Sequence, residues 1–178
     1  MLNLLLTLKL LNIGLIFMLT LAVLFDLKMR KIPNAVVLFG LIYSLVFQYL
    51  NFSNVGGLNW LLGILVGFIC LFPLYYFRGM AAGDVKLMMA VGGFLGYPLI
   101  FKAVAYVFIS GGVMALIFIL LKGRLGLLTK NMRVMWTDFY IKATSGVNVA
   151  DDYVMKNSAG RMPYALAIAV GTAIALYL

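Results

Sequence analysis

Six apolar stretches separated by short polar or turn-forming breaks run the length of the chain. They cover residues 4–25, where Lys9 is the one charge, and then about 35–50, 58–77, 87–95, 103–121 and 162–178. A membrane-crossing helix takes about 20 mostly apolar residues. The pattern therefore predicts an all-α, polytopic membrane protein of about six transmembrane helices, the fourth rather short. The breaks differ in kind. Residues 51–57 are turn-rich and uncharged, residues 78–86 are polar and small, and Gly96-Tyr97-Pro98 reads as a turn. Pro163 stands where the first turn of a helix tolerates proline. The sixth stretch follows the only sizeable non-spanning piece, residues 122–161, where Leu128, Met132, Met135, Trp136, Phe139 and Tyr140 recur at helical spacing. Lys130, Arg133 and Thr137 fall on the opposite side, so this piece is expected to be an amphipathic surface anchor and spacer. Residues 1–178 are expected to form one membrane domain.

Charge gives this pattern a direction. Lys28, Arg30 and Lys31 follow the first stretch instead of preceding it, the reverse of a cleavable signal peptide. The first span is expected to be retained, with its N-terminus outside. Six spans then put Arg78, Lys86, Lys122, Arg124, Lys130, Arg133, Lys142, Lys156 and Arg161 on the same face as that basic group, leaving only Lys9 and Lys102 on the other. Cytoplasmic loops carry the excess of lysine and arginine, so the crowded face is cytoplasmic and both termini are extracytoplasmic. All five acidic residues, Asp26, Asp84, Asp138, Asp151 and Asp152, share the cytoplasmic face. The net charge of +9 would suggest a nucleic-acid partner in a soluble chain. With 65% hydrophobic and 11% charged residues and a mean hydropathy of +1.11, the partner is the lipid bilayer, and no nucleic acid is expected.

The composition also excludes chemistry. There is no His and no Glu, so neither a zinc hydrolase of the H-E-x-x-H type nor a Ser-His-Asp triad can be assembled. Cys70 lies in an apolar run with no His to activate it. If the protein is a hydrolase, aspartate must carry the reaction. Asp26 ends the first span and Asp84 begins the fourth, at about the same depth, which makes them a candidate carboxylate pair. Two carboxyl groups in close contact cannot both ionise cheaply and hold one proton between them. The ionised partner can draw a proton from water while the protonated one polarises a peptide carbonyl, which needs no metal or cofactor. The same positions also suit simpler roles: a solvated boundary charge for Asp26, and a helix N-cap for Asp84.

The residues around the two aspartates carry a resemblance. Phe25-Asp26-Leu27-Lys28-Met29-Arg30-Lys31-Ile32-Pro33-Asn34, followed by Ala81-Ala82-Gly83-Asp84-Val85-Lys86-Leu87, resembles the two signature blocks of the prepilin peptidases. Those blocks are an aspartate with a basic turn ending in Ile-Pro-Asn, and a later G-x-G-D-x-K-L motif. Met162-Pro163-Tyr164-Ala165 is similar to the opening of that family's last span. The resemblance implies an aspartic endopeptidase with Asp26 and Asp84 as the catalytic pair. Its substrate would be a pilin-like precursor with a short basic leader and a hydrophobic helix, cleaved at the cytoplasmic boundary of a bacterial inner membrane. Pilus assembly proteins would be further partners. Gly83 would let the backbone approach the substrate, Pro33 and Asn34 would shape the start of the second span, and Lys86 would stabilise an ionised carboxylate or reach the lipid head groups. The sequence lacks the N-terminal region and Cys pairs of the larger members with added methyltransferase activity, so it is similar to the compact Flp/Tad pilus type. It departs from the motif at Ala81, where the first glycine is expected. That matters only if the loop needs a positive φ there.

Three other readings use the same residues: a transporter or channel relaying protons through Asp26 and Asp84, a presenilin-type intramembrane protease, and an inactive assembly scaffold. The absence of a Tyr before the first aspartate and of a Pro-Ala-Leu element stands against the presenilin type. Elsewhere, Gly63 with Gly67 and Gly92 with Gly96 predict close helix packing. Trp60 and Trp136 are expected as membrane-interface anchors.

Overall fold

The computed structural model describes residues 2–76, 79–121 and 163–178. All elements among them are helices: α1 (Leu2–Met29), α2 (Asn34–Tyr76), α3 (Ala82–Leu95), α4 (Leu99–Leu121) and α5 (Tyr164–Tyr177). The chain divides into two compact units, one of residues 1–112 with 163–178 and one of residues 113–162. Of the second unit the described part is the end of α4. The amphipathic stretch expected at 122–161, with Asp138, Asp151 and Asp152, and Arg78 lie outside the described residues.

Among the described residues, three segments are long and apolar enough to cross a membrane: Lys9–Met29, Asn54–Tyr76 and Leu99–Phe118. Asn34–Leu50 and Tyr164–Tyr177 are shorter apolar helices. Large apolar side chains such as Ile13, Phe17, Leu24, Leu38, Ile42, Leu65 and Ile109 point outward, as lipid-facing residues must.

The expected loop at 51–57 is helical instead, and α2 runs through it. It does not run straight. The Trp60 indole Nε1 donates to the Ser44 hydroxyl at 2.9 Å although sixteen positions separate them, a distance of about 24 Å along a straight helix. The stretch doubles back between Asn34–Leu50 and Asn54–Tyr76, so the two spans survive and only the uncoiled loop is lost. Trp60 is thereby turned inward, where it serves as a clasp between the two arms.

Helix α3 is the inner element. Val85, Leu87, Met88, Ala90, Val91 and Phe94 are all buried. It lies against the second arm of α2 through glycine: a Cβ on Gly63 would meet the Gly92 carbonyl, one on Gly92 would meet the Gly63 carbonyl, and one on Gly67 would stand 2.6 Å from the Met88 carbonyl. The first arm seals another side, with Gln48 donating to the Phe94 carbonyl at 3.4 Å. Beyond α3 the chain turns at Gly96, whose φ of 65° suits glycine. The Asn59 carboxamide oxygen accepts the Tyr97 N–H there at 2.8 Å. Helix α5 packs on α4, where Ser110 donates to the Ala167 carbonyl at 2.8 Å and Gly171 admits the backbone at Val107. Leu15 and Met18 of α1 and Ile168 of α5 complete the core.

Candidate active site

Helix α1 carries Asp26 one turn before its end. The helix stops at Met29 because Arg30 takes a left-handed conformation, φ 52°, while its N–H still bonds to the Asp26 carbonyl at 2.9 Å. The chain then turns through Ile32 and Pro33, whose carbonyl accepts the Val36 N–H at 3.1 Å and starts α2. Asp26 is almost wholly buried, 6% exposed, and one carboxylate oxygen accepts the Ala165 N–H of α5 at 3.0 Å. A helix's first N–H groups have no partner within the helix. Asp26 thus supplies a partner from a segment 139 positions away.

Asp84 stands in the first turn of α3, ahead of the apolar run at 87–95, and is likewise 6% exposed. Its carboxylate accepts the Ala81 N–H at 3.3 Å, and its own N–H donates to the Ala81 carbonyl at 3.1 Å. Ala81, not Asp84, is the N-cap, and Asp84 reaches back to it from the third helical position as the acidic half of a capping box. The cap does not exhaust it: burial first, and the Asp26 carboxylate second, raise its proton affinity above the ordinary carboxylate range, against a smaller lowering by the Ala81 bond. The two aspartates that the sequence pairs are therefore electrostatic neighbours. Tyr164 of α5 lies within electrostatic reach of Asp84, and its hydroxyl end packs where Gly111 of α4 leaves room.

The other expected site residues divide. Lys86 donates from Nζ to the Asn34 side-chain oxygen at 3.1 Å, so these two join the start of α2 to α3. Gly83 faces Ile32, and an added Cβ would stand an ordinary 3.5 Å from that side chain. Ala81 has φ −80°, an extended conformation open to any residue, so the departure from the glycine motif costs no backbone strain. Ala81→Gly is accordingly expected to leave cleavage activity within about twofold and to lower stability by less than about 1 kcal/mol. A large gain in activity would show that the loop needs glycine's freedom.

Sequence reasoning did not find the Ala165 N–H, because a backbone donor has no side-chain signature. The pairing of Lys86 with Asn34 was also missed, although both are polar residues expected at one depth.

A model of the type IV leader peptidase family matches residues 13–120, which include both buried aspartates. The chain belongs to the type IV leader peptidase family. No curated protein and no solved structure matches it. Membership makes it a protease of a membrane peptidase family, and its long apolar helices agree with membrane residence. A leader peptidase works on pilin precursors, so the family sets the substrate class at that level.

Proposed function

We propose that this protein is a membrane-embedded aspartic endopeptidase that removes the short basic leader of type IV or Flp pilin-like precursors, with Asp26 and Asp84 as its catalytic residues. The observation that carries the reading is the burial of these two carboxyl groups, from α1 and α3, within electrostatic reach of each other. Sharing one proton, the pair activates a water with its ionised member, while its protonated member hydrogen-bonds the scissile carbonyl. Attack gives a tetrahedral intermediate, and return of the proton to the departing nitrogen completes hydrolysis. The charge distribution supports a location in a bacterial inner membrane with the site facing the cytoplasm. The precursor's apolar helix would then lie in the bilayer beside the enzyme, with its leader junction at the pair. Assembly proteins that receive the trimmed pilin are further partners on this reading.

The direct test is co-expression with a pilin precursor from the same genome, following leader removal by mass spectrometry. A product cut between the basic leader and the apolar helix is expected. An intact precursor alongside proton flux through the purified protein in vesicles would overturn the peptidase reading in favour of a relay.

Lys86 and Asn34 serve as fasteners here. Lys86→Met and Asn34→Ala are each expected to lower stability by about 0.5–1 kcal/mol, and the double variant by no more than either alone, because they remove one bond. If Lys86 acted on the carboxylates instead, Lys86→Met would slow cleavage strongly and Asn34→Ala would not.

A further inference from the structure

The carboxyl pair has a third polar neighbour with no part in the proton transfers. Tyr164 opens α5, directly before the Ala165 N–H that meets Asp26, and lies within electrostatic reach of Asp84. It is half-buried, and its hydroxyl end rests on buried Gly111 of α4, where any side chain at 111 would collide with it. Glycine at 111 therefore gives the phenol its seat. Among the described residues the Tyr164 hydroxyl has no hydrogen-bond partner. Other polar side chains are engaged inside the fold: Tyr43 donates to the Leu10 carbonyl at 3.0 Å, Ser110 to the Ala167 carbonyl at 2.8 Å and Lys86 to Asn34 at 3.1 Å. Thr172 also lacks a partner, but it is fully buried about 12 Å further along α5.

We infer that Tyr164 is a further catalytic residue, its hydroxyl donating a hydrogen bond to the scissile carbonyl oxygen as the tetrahedral intermediate forms at the carboxyl pair. The inference rests on the peptidase reading. When water adds to the carbonyl carbon, the C=O electron pair moves onto that oxygen, and the protonated aspartate is one donor to it. A phenol is an O–H donor at neutral pH and supplies a second. A donor aimed at the place where charge develops stabilises the transition state more than the bound substrate. Tyr164 keeps its own proton throughout, and the proton taken by the departing nitrogen still comes from the pair. The fold suits the role. The first turn of α5 is tied to Asp26, so the phenol beside it is held at the pair, and a bond to substrate would break none within the protein.

The test is Tyr164→Phe in the full chain in lipid nanodiscs. Phenylalanine keeps the ring against Gly111 and deletes only the hydroxyl. Cleavage of a pilin precursor is expected to lose about 100-fold in kcat, with KM little changed and the melting temperature that of the unmodified chain. The second probe is a precursor peptide whose scissile amide is replaced by a hydroxyethylene group, which presents a tetrahedral hydroxyl to the pair. Tyr164→Phe should weaken its inhibition by about tenfold, the worth of one hydrogen bond, a change that a packing role would not produce. Unchanged kcat and inhibition would overturn the inference and leave Tyr164 as an interfacial anchor. A fall in kcat that only follows a lower melting temperature would overturn it as well. An unmodified chain that neither cleaves the precursor nor binds the hydroxyethylene peptide overturns the peptidase reading itself, a result distinct from a Tyr164→Phe chain that cleaves as fast as its parent.

Discussion

Asp26→Asn and Asp84→Asn are each expected to reduce leader cleavage by about 10²- to 10⁴-fold, the range that a positioned acid or base contributes. Each should leave the amount of membrane-inserted protein near that of the unmodified chain. The two losses should not add, because a dyad missing either member has no shared proton to transfer. Asparagine keeps the size of aspartate and can still meet the Ala165 and Ala81 N–H groups through its carbonyl. The helix start of α5 and the first turn of α3 therefore stay capped, and lost activity reports chemistry and not collapse. The comparison is made with equal amounts of inserted enzyme and one pilin precursor, scored by mass spectrometry. Cleavage that survives either substitution would return that aspartate to a boundary charge or a cap.

The second large effect is expected far from the carboxyl groups. Gly63→Ala and Gly92→Ala each place a methyl group against a backbone carbonyl of the facing helix, and neither backbone can yield as a side-chain tip could. Overpacking of this kind costs about 1–3 kcal/mol, enough to lower the unfolding temperature by about 2–12 °C in a chain of this size. Cleavage should fall as well, because α3 carries Asp84 and would be pushed off α2. Gly112→Ala is the control, since an added Cβ there meets nothing within 4 Å. Circular dichroism melting of the three variants in one detergent checks the ranking. Equal melting temperatures would mean that α2 and α3 are not in glycine contact.

Much of the architecture was legible in the chain. Alternation of apolar stretches with short breaks and near-absence of charge within them follow from what lipid accepts, so most helix positions could be read locally. The small-residue spacings Gly63 with Gly67 and Gly92 with Gly96 foretold a close helix contact for the same reason, since only a missing side chain lets backbones meet, although Gly96 itself serves the turn after α3. Asp26 and Asp84 could be paired because each stands at the end of an apolar stretch, and the motif around them carries family membership.

Other features depend on parts of the chain that no local pattern connects. The helical course through residues 51–57 is decided by tertiary contacts, Trp60 on Ser44 and Gln48 on the Phe94 carbonyl, which fold the two arms against α3 and override the turn-forming composition. The tolerance of Ala81 depends on a backbone angle, and the motif alone left that angle open. The sequence by itself determined the apolar helix-forming stretches, the two aspartates in their motifs and the family. Only the tertiary structure decided that the first turn of α5 reaches Asp26 across 139 positions, because that bond comes from a main-chain N–H that every non-proline residue has, and helix packing alone selects which one arrives.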